Sequence, residues 1–344
     1  MKRIFFLLLF VSAALACRAQ EVRRWSEGLP DWSGFRVANE ADSASSYAAF
    51  SLIKEKRTVR IKGVKYHYLD VTSALIPDNS WVKADAMNAA ELSAVQRDFD
   101  LMEYFARAFR EELFFTTDKN SEKELEYVER FRAAQQQAHA TGDYSEYALP
   151  DDPFNISNVP YDVSKKHLGE SIGLFSNMPF GSQGQLIYPS VGASMTLEFG
   201  RERGGFQVEA AIGVSPFRNR YLGLRSRIVP YAGVFAMYRR ELFREGPWRF
   251  SVYGGPGYSI RMFNHEVLRT KVGGVSLCEG VCADYYLGRS VIFSTGSPEQ
   301  LDRYMQFKLS FNQMYNARQQ KMVPSVNLTA AILFQGSGIK RRQP

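Results

Sequence analysis

The stretch "AVQRDFDLMEYFARAFREEL", Ala94 to Leu113, has the period of a helix, the scaffold on which metal-dependent hydrolases mount their ligands. That chemistry needs two histidines at i and i+4, so that both imidazoles reach one ion from one helix face. A Glu beside the first then acts as general base on the metal-bound water. No His-Glu-X-X-His occurs in the chain, and the four histidines, His67, His139, His167 and His265, are scattered. In "HYLD", His67 and Asp70 offer a base and a carboxylate, but no paired nucleophile accompanies them. In "CEGVC", Cys278 and Cys282 would point the same way on a strand, about 13 Å apart and beyond disulfide reach, unless a tight turn intervenes. With no second Cys or His pair they make a weak metal site.

The elements that position these residues divide the chain in two. Between Trp25 and about Gln137, short alternating β-branched stretches separated at Gly63 predict a small sheet. Leu92, Val95, Phe99, Met102, Ala106, Phe109 and Leu113 recur every three or four residues, which gives one buried helix face. A second, charged helix is expected from about Ser121, placed as a capping box with Glu124, to about Ala140. Residues 20–140 thus read as an α+β domain. Residues 141–165, with prolines, Asx and Ser and no period, read as a linker.

Trp32 and Phe35 fit an opening "W-x-x-F", and Gln96, Phe99, Asp100, Glu103, Ala106, Arg107 and Arg110 fit the frame "H-E-Q-x-H-F-D" followed by "E-x-x-A-R-x-x-R". On these residues the stretch from Trp32 to Leu113 resembles a family of secreted, zinc-protease-like proteins of Bacteroidota, catalogued as domain of unknown function 922. The resemblance implies the fold and secretion. It does not carry the activity, because Ala94 stands in the place of the first His, Val95 in that of the Glu and Asp98 in that of the second His. Ala and Val offer no lone pair, so the ligand set does not close. Asp98 alone reads as a solvated helix residue, and Asp100, Glu103, Arg107 and Arg110 as charges pairing along the helix.

After the linker the pattern turns to period two. Val191, Ala193, Met195, Leu197 and Phe199 alternate with Ser190, Gly192, Ser194, Thr196 and Glu198, and similar stretches begin at Phe206, Trp248, Arg303 and Ser325. The apolar rows are long enough for the roughly 25 Å band of an outer-membrane barrel, while the opposite rows are mostly Gly, Ser, Thr, Gln and Asn. About eight strands over 166–335 predict an antiparallel barrel filled by its own side chains, with "RSVIFS" extending a strand or a loop and a polar tail at 336–344. Glu198, Glu209, Arg249, Arg261 and Lys308 would form a charge network in the lumen, read as packing in preference to a transport path. Glu279 breaks the scheme by facing lipid, which calls for a bulge or turn at Gly280 or a register one residue out. "GRERGG", "SPFRNRYLGLRSR" and "STGSPEQ" are expected as extracellular loops, the second basic enough to meet anionic glycolipid or polysaccharide at the cell surface.

Lys2 and Arg3 followed by "IFFLLLFVSAALA" form a signal peptide over 1–19, with lipidation at Cys17 as a rival reading. The chain carries 43 Lys and Arg against 36 Asp and Glu, net +7, and loses three cations with the leader. That balance is too mild and too dispersed for a nucleic-acid partner. The composite expectation is an α+β N-terminal domain in the periplasm followed by an all-β, about eight-stranded antiparallel outer-membrane barrel. No catalytic residue, metal or cofactor is assigned, and the expected partners are outer-membrane lipid and an envelope protein. A surface adhesion or small-solute transport barrel and a secreted hydrolase with an unrecognised site are the alternatives.

Overall fold

The computed structural model describes residues 22–28, 30–38, 44–116, 120–149, 154–218, 228–264, 269–293, 297–316 and 320–342. The leader, Cys17 and most of "SPFRNRYLGLRSR" lie outside them. The chain forms two compact units, one built mainly from residues up to Asn158 and one from Val159 onward.

In the first unit a hairpin pairs β1 (Phe50–Ile61) with β2 (Val64–Leu75). Lys62 and Gly63 both have positive φ, 49° and 82°, as the mirror-image turn of a tight hairpin requires. Two strands of 12 residues replace the several short ones expected from the sequence. Helix α1 (Ala89–Leu113) starts at Asn88, whose side chain accepts from the amides of Ala90 (3.0 Å) and Glu91 (2.9 Å). Its buried stripe, Val95, Phe99, Met102, Ala106, Phe109 and Leu113, is the one read from the periodicity. Phe99 packs on Phe35, Leu75 and Val82, and Phe109 on Val71 and Tyr127. Burying each ring contributes about 2–3 kcal/mol. Helix α2 (Asn120–Thr141) covers the far side of α1 through Phe131 and Ala134. Glu124 pairs with Lys54. The expected linker is largely part of this unit, since Tyr144 and Tyr147 pack against Leu101, Met102, Phe131 and Ala134 and two 3-10 turns, Ser145–Tyr147 and Ile156–Asn158, follow.

The second unit is a ring. Its strands are β3 (Lys166–Pro179), β4 (Ser190–Arg201), β5 (Gly204–Pro216), β6 (Ile228–Glu245), β7 (Trp248–Asn264), β8 (Arg269–Ile292), β9 (Glu299–Asn316) and β10 (Lys321–Arg341). Each pairs antiparallel with the next, and β10 closes on β3 from Ser325↔Pro179 to Gly336↔Leu168. A short helix, α3 (Gly181–Leu186), lies in the β3–β4 connection. Closure leaves no ladder edge among the eight. The interior is tight at Gly192, where an added Cβ would lie 1.9 Å from the carbonyl oxygen of Ile212 on the neighbouring strand.

Two boundaries differ from the sequence reading. Strand β10 continues through 336–341, placed there as a tail, because Ile339–Arg341 pairs with a short strand, Tyr161–Val163, that follows the first unit. The "RSVIFS" segment extends β8 to Ile292. "GRERGG" and "STGSPEQ" both connect strands at the end where Lys166 and Arg341 lie, so they share that end with the chain termini of the ring.

Candidate functional site: a filled and sealed lumen

Alternation along the strands sorts side chains into an outer apolar row and an inner polar one. Outside, Leu174 is 73% exposed and Ile212 67%, with Val234, Tyr258, Leu309 and Ile332 also exposed. Inside, all five charged residues read from the sequence are present, but they do not make a single network. Glu198 accepts from Gln207 Nε2 (2.7 Å) and Arg239 Nη1 (3.1 Å) and meets His167 Nε2 at 3.1 Å. Arg239 bridges Glu198 to Asp284, which also accepts from Arg249 Nε (2.8 Å) and Gln306 Nε2 (2.9 Å). Arg249 ends this chain on Gln335 and stacks over Tyr304 at 4.3 Å.

A separate pair lies one inward position further along three of the same strands, β4, β5 and β9. Lys308 Nζ donates to Glu209 Oε2 (2.8 Å) and Thr196 Oγ1 (3.0 Å). Arg261 has no carboxylate partner among the described residues. It donates to Gln183 Oε1 of α3 (2.8 Å) and to Asn177, and stacks over Tyr231 at 5.3 Å. At the end opposite the termini, Val229, Phe263, Val272, Met314 and Val323 from the strands close around Ile187 and Phe217 from the connections. That apolar cluster seals the lumen.

The arrangement is built for packing. Each buried carboxylate meets at least one cation, the condition under which charges persist in a low-dielectric interior. Space beside Glu198, Arg239 and Arg249 amounts to about 10 Å³, room for roughly one water. A recess of about 970 Å³ is lined largely by outward apolar side chains such as Leu174, Val281, Phe307 and Leu328 and touches no carboxylate. Cys278 and Cys282 are unpaired and buried on one strand, where Cys282 Sγ donates to Asp284 Oδ1 at 3.2 Å. Strand β8 runs unbulged from Val275 to Tyr286, so Glu279 does stand outward between Leu277 and Val281, opposite Gly254 and Phe311. Neither a turn at Gly280 nor a shifted register relieves it.

The helix of the first unit carries a polar seam. Ala94 is half-buried and Val95 is in the core. Asp98, read as solvated, is 7% exposed: it accepts from Gln135 Nε2 (2.8 Å) and Tyr144 Oη (2.9 Å) and meets His139 Nε2 at 3.0 Å, tying α1 to α2 and the segment after it. Burial and this bond push the Tyr144 phenol above its ordinary range. Glu103 accepts from Arg107, as the spacing suggests, but also from the amide and hydroxyl of Ser73 (2.9 and 3.1 Å). Asp100 accepts from Trp25 Nε1 (2.8 Å) and Gln96, and Arg110 reaches across to Asp70 on β2 (2.9 Å). Asp70 is therefore held by Arg110 and Arg57, while His67 Nδ1 lies 2.9 Å from Thr58 Oγ1. Among the described residues no group of three His, Cys, Asp or Glu stands together as a metal site.

His167, Arg239 and Asp284 are the site residues that sequence reasoning missed. Asp284 was available from parity alone, since it shares the inner row with Cys278 and Cys282. Arg239 was hidden because the row before it on β6 is apolar, with Tyr231, Phe235 and Met237 inside.

The fold and filled interior define the second unit as a closed eight-stranded antiparallel barrel. No family model and no curated protein matches the chain. Solved structures similar to it include Neisserial surface protein A (12% identity over 50% of this chain and 97% of that one, TM-score 0.34). Ail, the attachment invasion locus protein of Yersinia pestis, matches at 10% identity over 50% and 99% (TM-score 0.34). The N-terminal β-barrel domain of Pseudomonas aeruginosa OprF matches at 11% over 51% and 99% (TM-score 0.29).

Proposed function

We propose that the chain is a non-catalytic outer-membrane protein, whose barrel anchors a folded, protease-like α+β domain on the periplasmic side for contact with an envelope partner. The observation that carries this reading is the exposed apolar row around a closed ring with a polar, ion-paired inside, an arrangement that suits lipid and inverts that of a soluble barrel. The filled lumen and its apolar seal favour anchoring over conduction. In the first unit, the positions that a zinc protease would use hold Ala94, Val95 and a fully engaged Asp98, which supports a domain kept for its surface.

Protease protection in intact cells tests the placement. An epitope between α1 and α2 is expected to survive external proteinase and to be lost once the outer membrane is permeabilised. Cleavage in intact cells would put the domain outside. Casein hydrolysis by the purified full chain, abolished by a chelator, would overturn the non-catalytic reading.

A further inference from the structure

At the termini end of the barrel the outer face changes character. On β4 and β5 the outer apolar row ends at Phe199 and Phe206, while on β6 and β8 the exposed Leu242, Phe243 and Leu287 continue it. Beyond Phe199 and Phe206 the register aligns four outward positions on four adjacent strands: Lys166↔Arg201, Arg201↔Gly204 and Gly204↔Arg240. Three are exposed cations, and over the fourth, Gly204, the Tyr238 hydroxyl stands between Arg201 and Arg240 in the place a Cβ would take. Like charges directly opposite each other destabilise a sheet. Lys166, Arg201 and Arg240 make no ion pair among the described residues, and the nearby Glu202, which Arg201 also attracts, is held by Lys165 at 2.8 Å. Glu170, the acid on the same outer row, stands four residues along β3 from Lys166, about 13 Å away.

Resting on the membrane-barrel reading, we propose that this row seats the phosphodiester headgroups of anionic phospholipid in the leaflet at the termini end. A phosphate offers several acceptor oxygens to cations on either side of it, and the Tyr238 hydroxyl over Gly204 lies between them. The acyl chains would then lie along the apolar row above, beside Phe206 and Tyr238. Such a headgroup converts an unfavourable alignment of cations into a favourable one.

The test uses the full chain in phosphatidylcholine bilayers with Tyr238→Trp as reporter, the difference from the parent chain giving the signal of the added indole. Brominated phosphatidylglycerol and brominated phosphatidylcholine are compared as quenchers. Preference for the anionic quencher is expected to be about threefold or more at low salt. It should fall toward parity in about 0.5 M NaCl, and in Lys166→Gln/Arg201→Gln/Arg240→Gln, whose folding is checked by gel migration before and after boiling. Equal quenching by both lipids at low salt would overturn the proposal while leaving the membrane barrel standing. No quenching by either would sink the barrel reading itself.

Discussion

Single residues separate what is structural from what is costly. Glu112 accepts from Lys123 Nζ (2.6 Å) and Tyr127 Oη (2.7 Å), and those bonds hold its carboxyl below the ordinary glutamate range. A depressed folded value means that the stabilisation is complete above the unfolded value and lost as pH falls through the folded one. The helical signal at 222 nm should therefore melt at lower temperature between about pH 5 and pH 3, and Glu112→Gln should flatten that dependence. An unchanged slope in the variant would remove Glu112 as the cause. Glu279 presents the opposite case, a carboxylate amid apolar neighbours with nothing to pair. Replacing it by Leu should stabilise the barrel in lipid by roughly 1–2 kcal/mol, measured by urea unfolding in vesicles. Loss of stability would mean that the carboxylate meets a partner in the membrane.

At the scale of elements, the sequence was most informative where one physical rule acts alone. The stripe of α1 and the alternation of β4, β5, β7 and β9 were legible because each buries one row against a uniform environment. Strand β6 was harder to read, since Tyr231, Phe235 and Met237 fill the interior while Ala232 and Ala236 face out, so both rows are apolar. The partners of Asp98 were invisible for another reason: Gln135, His139 and Tyr144 come within reach only through the packing of α2 on α1. The lumen separated into an ion-paired chain, a lone pair and an arginine without an acid among the described residues only once the register was fixed. Asp284 links β6, β7 and β9 through Arg239, Arg249 and Gln306. Asp284→Asn leaves two buried guanidinium groups short of charge and should cost about 3–5 kcal/mol of barrel stability. Unfolding within 1 kcal/mol of the parent, on the order of an exposed pair, would show that the strands do not depend on it.

For the whole molecule, the apolar cluster of Val229, Phe263, Val272, Met314 and Val323 and the polar fill behind it occupy the lumen among the described residues. Purified protein in planar bilayers should give no stepwise conductance, and reproducible steps would require the seal to open. The central claim is that the eight strands form a closed barrel in the membrane. Its most direct measurement is the gel migration of the membrane fraction with and without boiling. A closed, detergent-resistant barrel gives a shifted band that moves to the full-length position only after heating. A single band in both lanes, with the protein recovered from the soluble fraction, would contradict it.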